Sequence, residues 1–442
     1  MAHDLQGLTI TGTAASASAL DAAVTAYYAW KDDPIGTLSA ATAADPSFAL
    51  GHAATASLYL LNGFRGDNPA VVGELAKAEA AIAGATERER LHLAAANAWA
   101  DGAIVAATET WERILVDHPR DALALRFAHD TYFYLGHSQS IRDSVARVLP
   151  QWDRGNPHYG YVLGQYAFGL EEAGDLGQAE AVARQALSIN PTDCWATHAL
   201  THVLEMASRQ EEGIRFLEST LADWLQGKWL AVHNSWHLAL FLIELGRGAE
   251  VLAKYDTFIA PKIGDDALLD LVDAAALLWR LELAGVDVGS RWQAISDQWL
   301  QHADDHVLVF NDLHIALAAS RAGNADGLAR LLASLDAYIL DGQGDNAEIS
   351  ADVGRRLVRG VAAFGTGDYA RADYARAVEL LLPVRYKWIR IGGSHAQRDL
   401  LIQTVIEAAR RSGQAALARA LLNERLAWRP TPRSRRLLAQ AA

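Results

Sequence analysis

Apolar residues along this chain return every three or four positions, as in "YVLGQYAFGLEEAGDLGQAEAVARQAL" from Tyr161 onward. That interval is the helical period, and the alternating Val, Ile and Thr runs that strands require are scarce. Short segments with Gly, Asp or Asn follow about every second predicted helix, which makes the pattern one of stacked helical hairpins. "LDGQGDNAE", near residue 345, is expected as a loop.

One hairpin shows the repeat most fully. In "LEEAGDLGQAEAVARQALSINP", Gly174 should end one helix, Ala179 and Ala186 should allow two helices to cross closely, and Pro191 should stop the second. The unit resembles a tetratricopeptide repeat of about 34 residues. Weaker echoes turn at Gly246 with Tyr255 after it, at Gly323, and at Gly367 with Ala372. The expected fold is all-α, an α–α superhelix of degenerate tetratricopeptide-like hairpins forming one domain over residues 1–442. The first helices of the hairpins would line a concave inner side, so polar residues on them should converge there.

Those first helices carry histidines. In "HALTHVLEM" His202 lies about 40° around the helix from His198, and Glu205 returns to within about 20° of His198, so all three share one stripe. "HNSWHLALF" repeats the spacing with His233 and His237. Four residues is the interval at which a helix aims two imidazoles at one ion or substrate. His198, His202, Glu205, His233 and His237 are the candidate metal ligands. Such a set suits zinc, iron, nickel or manganese, and ligand softness does not choose among them. The order of residues is not the HExxH of zinc proteases. A hydrogen-bonded interior histidine remains the alternative at each position, weakened by the recurrence of the pair.

Two further segments add polar groups. In "HADDHVLVFNDLHIALA", His302, Asp304, Asp305 and His306 read as a helix start, with the acids offsetting the dipole. Asn311, Asp312 and His314 lie deeper among apolar residues, where a carboxylate can orient an imidazole. A satisfied Asp–His pair without chemistry is equally compatible. In "IGGSHAQRDL", Ser394 and Gln397 fit a capping box. His395 and Arg398 exceed what the cap needs and could meet a carboxylate or phosphate at the helix N-terminus.

Composition narrows the function classes. At 51% hydrophobic, 442 residues can bury a large core, and the net charge of −14 opposes sequence-independent binding to nucleic acid or anionic lipid. The arginines around Arg429, Arg433, Arg435 and Arg436 read as the solvated end of a last helix. A single cysteine, Cys194, excludes an intramolecular disulfide and thiolate-rich metal sites, and beside Trp195 it reads as a packed thiol. No Walker or dinucleotide fingerprint is present, so no nucleotide cofactor is expected. No stretch is apolar for the roughly 18 residues of a membrane span. The first residues do not follow a signal-peptide pattern, which makes a cytoplasmic location the expectation.

Taken in order, "HALTHVLEM", "HNSWHLALFLIELG", "FNDLHIALA" and "GGSHAQRDL" resemble the tetratricopeptide repeat protein 38 family. The resemblance runs from "DPSFALGHAATASLYLL" at residue 45 to the "GGSHAQRD" helix. It implies a cytosolic all-helical repeat protein and supplies no reaction. The matching positions are His198, His202, Glu205, His233, His237, Asn311, Asp312, His314, His395, Gln397, Arg398 and Asp399.

Histidine with carboxylates moves protons near neutral pH, whereas a peptide-binding scaffold displays Lys, Arg and Asn. The expectation is therefore an enzyme acting on a small polar molecule, by hydrolysis or elimination, through acid–base or metal-assisted chemistry. A divalent metal is the one cofactor the residues suggest. His198, His202, His233 and His237 would act as bases or ligands, and Asp312 would orient a histidine such as His314. Glu205, Asn311, His395, Gln397, Arg398 and Asp399 would contact substrate, with Arg398 on an anionic group. Two alternatives stay open: a noncatalytic adaptor that binds a peptide, and a small-molecule sensor. Self-association into a homo-oligomer is compatible with each.

Overall fold

The computed structural model describes residues 2–366 and 373–440, so the echo at Gly367 and Ala372 lies outside the described residues. The fold is all-α: helices follow one another throughout, and the strands among the described residues are two-residue segments, Ala2–His3 and Thr9–Ile10, paired antiparallel. No helix there is long and apolar enough to cross a membrane. The chain groups into two compact units, one of residues 1–200 with 222–231, the other of residues 201–221 with 232–442.

In the first unit consecutive helices pack as hairpins. The unit with the clearest repeat forms as its sequence predicts. Tyr159–Glu172 ends at Gly174, whose φ of +89° is a left-handed value that glycine adopts without strain. Asp175 caps Leu176–Ile189 by accepting the Gln178 amide, and Ala179, Ala183 and Ala186 are the residues that this second helix buries. Gly169 is small for a different reason. A Cβ there would lie 2.6 Å from the Arg142 Cα, so the backbone of Tyr159–Glu172 crosses Ser138–Val148 where no side chain fits. Cys194 is buried with its thiol toward the Ala29 carbonyl, and burial pushes its pKa up, away from a thiolate.

In the second unit, first and second helices of the hairpins differ in depth. Ala231–Glu244, Leu268–Leu283, Val309–Arg321 and His395–Arg411 are buried on nearly every face. Ala325–Asp341, a second helix, buries only Leu331 and Leu335. Leu268–Leu283 packs on both Val309–Arg321 and His395–Arg411, and the Trp279 indole donates to Thr404 Oγ1 at 2.8 Å. Helices buried all round have no apolar face to distinguish. Their polar residues therefore sit in the interior by necessity.

Three local expectations need correction. The loop near residue 345 is confined to Gly342–Gly344, because Asp345–Ile349 is helical and Asn346 turns inward to accept the Val309 amide at 2.9 Å. The acids at 304 and 305 do not cap a helix. The helix starts at Val309, and Asp304 pairs with Arg330 while Asp305 holds His302 at 2.7 Å. The C-terminal arginines are not all solvated: Arg429 is 2% exposed, bound to Glu205 and Asp399. Arg435 and Arg436 do lie at the surface.

Candidate functional site

The second unit gathers His202, His233 and His237. The last two come from Ala231–Glu244, one helical turn apart, and His202 from the end of Cys194–Met206. One ring nitrogen of each lies within 4.8 Å of the others. The His202 and His237 ring centroids are 4.5 Å apart, and those of His233 and His237 4.8 Å. All three are at least 96% buried, at 0%, 4% and 0% exposure in chain order.

Two of these rings are held by carboxylates. His233 Nδ1 lies 2.9 Å from both oxygens of Asp273, and His237 Nδ1 lies 2.8 Å from Glu205 Oε2. A carboxylate accepts, so Nδ1 carries the hydrogen and Nε2 keeps its lone pair. Burial holds the His237 pKa well below the usual histidine value, with the neighbouring imidazoles and two arginines adding to the effect. His237 is thus a neutral imidazole at pH 7, the form that accepts a proton or binds a metal.

Behind Glu205 runs a chain of charges. Its other oxygen accepts from Arg429, which also donates to Asp399 at 2.8 Å. Asp399 accepts two further bonds from Arg425, at 2.9 and 2.7 Å, and one from Gln403. Burial works against the Asp399 anion, but the arginines outweigh it and hold the carboxyl well below the ordinary range. Asp399 is therefore committed to arginines.

Arg280 links the remaining motifs. It is fully buried, with its guanidinium 5.2 Å from the Trp236 ring centroid, and it donates to the carbonyls of Ala396 and Gln397 at 2.7 and 3.0 Å. Desolvation pushes its pKa down to about 10. Its charge acts on both His237 and His314. His314 donates through Nδ1 to the Phe310 carbonyl at 2.7 Å, and burial first, with Arg280 adding, lowers its pKa to about 4. It too is neutral at pH 7.

Other candidates take different partners. Asp312 does orient a histidine, but the histidine is His306, at 3.1 Å, whose Nε2 meets Ser334 at 2.9 Å. Positions 312 and 314 point about 200° apart on a helix, so one residue cannot serve the other. Asn311 is half-buried on the same helix. Gln397 completes the capping box with Ser394. Arg398 donates to the Gly392 and Gly393 carbonyls and lies 3.3 Å from His395, bracing its own turn. His198, one turn before His202 on the same helix, belongs to the first unit, where its ring stacks on Phe168 and lies against Trp195.

Asp273, Arg280 and Arg425 were missed by the sequence reading, which placed Arg429 in solvent. The only signal for the first two was a charge set in the otherwise apolar "LLDLVDAAALLWRLEL". No family model matches this chain.

Proposed function

We propose that this chain is an enzyme that acts on a small polar molecule by metal-assisted chemistry at His202, His233 and His237, with hydrolysis as the reaction class. One observation carries the reading: two of three clustered imidazoles have Nδ1 fixed by a buried carboxylate, which directs the Nε2 lone pairs away from those carboxylates. Carboxylate–imidazole pairing of this kind sets the tautomer and basicity of metal-binding histidines. A divalent ion held by histidines would lower the pKa of a bound water toward neutrality, which is the chemistry of a hydrolytic centre. The neutral state of His237 supports the same role.

The degree of burial speaks for an enclosed site over a peptide-binding groove, since groove residues would be exposed before the partner arrives. Membership of the tetratricopeptide repeat protein 38 family and a cytosolic setting belong to the same proposal. The test is equilibrium binding of zinc, manganese and nickel to the purified, chelator-treated chain, followed by an unbiased turnover screen of the loaded protein. One ion per chain and metal-dependent turnover are expected. Turnover that is indifferent to chelation would leave acid–base chemistry in place of the metal. The absence of both binding and turnover would remove the enzyme reading.

A further inference from the structure

The first unit contains polar atoms for which the folded chain supplies no partner. Helix Ala122–Leu135 buries eleven of its fourteen residues, and Arg126 is among them at 1% exposure. Arg126 Nε donates to Asp130 at 2.9 Å, and its guanidinium lies over Tyr27, Trp30 and Trp195, at 5.1, 5.1 and 4.8 Å from the ring centroids. Its Nη2 has no hydrogen-bond partner, nor do the indole nitrogens of Trp30 and Trp195. His129 and Gln165 are both fully buried, and neither ring nitrogen of the first nor either amide atom of the second is paired. Asp193 accepts the Trp195 and Ala196 amides through Oδ1, while Oδ2 is unpaired.

These six side chains belong together. Arg126 and His129 are one turn apart on one helix. The His129 ring lies 5.9 Å from both Trp195 and Phe168, and Phe168 is one turn beyond Gln165 on Tyr159–Glu172. Asp193 Oδ2 packs against Gly164, the neighbour of Gln165. Trp30 and Trp195 stack at 5.5 Å with an interplanar angle of 12°. A buried polar atom without a partner is unfavourable, and native interiors leave few. Eight such atoms lie in this one neighbourhood, and a bound polar molecule would satisfy them.

The chemistry of the atoms indicates what. Donors predominate: a guanidinium, two indole N–H groups, an amide NH2 and one imidazole N–H. The guanidinium keeps its charge, because Asp130 and the tyrosines outweigh its burial. Such donors match a carboxylate. The acceptors, Gln165 Oε1, the second His129 nitrogen and Asp193 Oδ2, match a hydroxyl. We propose that the first unit carries a separate binding site for a small hydroxycarboxylate, its carboxylate on Arg126 and its hydroxyl on the Gln165, His129 and Asp193 side. The indoles stacked on the guanidinium make the site visible by fluorescence.

Glycolate, acetate and glycolamide separate the two halves of this recognition. Titrated into the full chain with tryptophan fluorescence and melting temperature as readouts, glycolate should give a saturable change and a higher Tm. Acetate, which lacks the hydroxyl, should bind at least about tenfold more weakly, a difference near 1.4 kcal/mol. Glycolamide, which lacks the charge, should give no response. Gln165→Met removes two unpaired polar atoms at nearly constant volume, so this variant should fold and melt above the parent while its glycolate affinity falls at least about tenfold. Arg126→Lys should weaken glycolate to a similar extent by losing the planar fork. The proposal fails if glycolate gives no response in the parent, if Gln165→Met binds it unchanged, or if a crystal soaked in glycolate shows only ordered water among these groups.

Discussion

Two buried polar clusters, one in each unit, handle their polarity in opposite ways. In the second, Glu205, Arg429, Asp399 and Arg425 join end to end, and this chain stands behind the histidine His237. In the first, Arg126 has one carboxylate partner, while Gln165 and His129 beside it have no hydrogen-bond partner. A network whose charges are paired fixes its members in place and is costly to break. An unpaired one gains stability from removal or from a ligand. Two buried polar clusters in one chain thus have opposite expected responses to the loss of a side chain.

The sharpest break is at the junction of the paired network. Asp399→Ala would leave Arg425 and Arg429 buried without their shared anion, at a cost of about 3–5 kcal/mol. Chemical denaturation should show a corresponding loss of unfolding free energy. A loss below about 1 kcal/mol would mean that water reaches these arginines in the folded protein.

Acid should act next, through His314. Its pKa of about 4 in the folded chain lies below the usual 6.5. Above pH 6.5 the group is neutral in both states and contributes nothing to the pH dependence. As pH falls below 6.5 the unfolded chain takes the proton first, so stability drops until about pH 4, where the loss levels off. The drop should be on the order of 3 kcal/mol. His314→Asn keeps a donor for the Phe310 carbonyl and should flatten that part of the stability–pH curve. Identical curves would show that His314 does not titrate abnormally.

In the unpaired cluster the sign reverses. Gln165→Met should stabilise the ligand-free chain by about 1 kcal/mol, read from denaturant midpoints at unchanged m-value. A clear destabilisation would mean that Gln165 is satisfied in solution, which would end the contrast between the two clusters.

The smallest effect belongs to the surface. His302 sits between Asp305 and Asp266, and the hydrogen bond to Asp305 leads in raising its pKa to about 9. A raised folded pKa gives stability that is fully present below about 6.5 and is lost as pH rises through about 9. The Tm difference between the parent and His302→Gln should therefore shrink between those limits. Partial exposure keeps it to a fraction of a kcal/mol. A difference that grows with pH would contradict the assignment.

How far the chain could be read without coordinates follows the same division. Hairpins were legible because apolar spacing, helix-ending glycines and small crossing residues are local signals, as Gly174, Ala179 and Ala186 show. The paired histidines were legible because four residues of separation is itself helix geometry. Their partners were not, since Asp273 lies 40 residues from His233 and Arg429 lies 224 from Glu205. The Arg429 segment misled for a related reason: clustered arginines look solvated until acids from distant helices are placed beside them. Arg126, His129 and Gln165 carry no spacing signal, because Arg126 and His129 sit on one helix and Gln165 on another.

The central claim is that His202, His233 and His237 hold a divalent ion through nitrogens set by Glu205 and Asp273. X-ray absorption spectroscopy on the zinc-loaded chain tests it most directly, with the His233→Gln, His237→Gln double variant as the comparison. The account predicts one zinc per chain with three nitrogen neighbours at about 2.0 Å, and loss of that shell in a double variant that still folds. Zinc that binds the double variant with the same stoichiometry and the same neighbours would place the metal elsewhere and contradict the account.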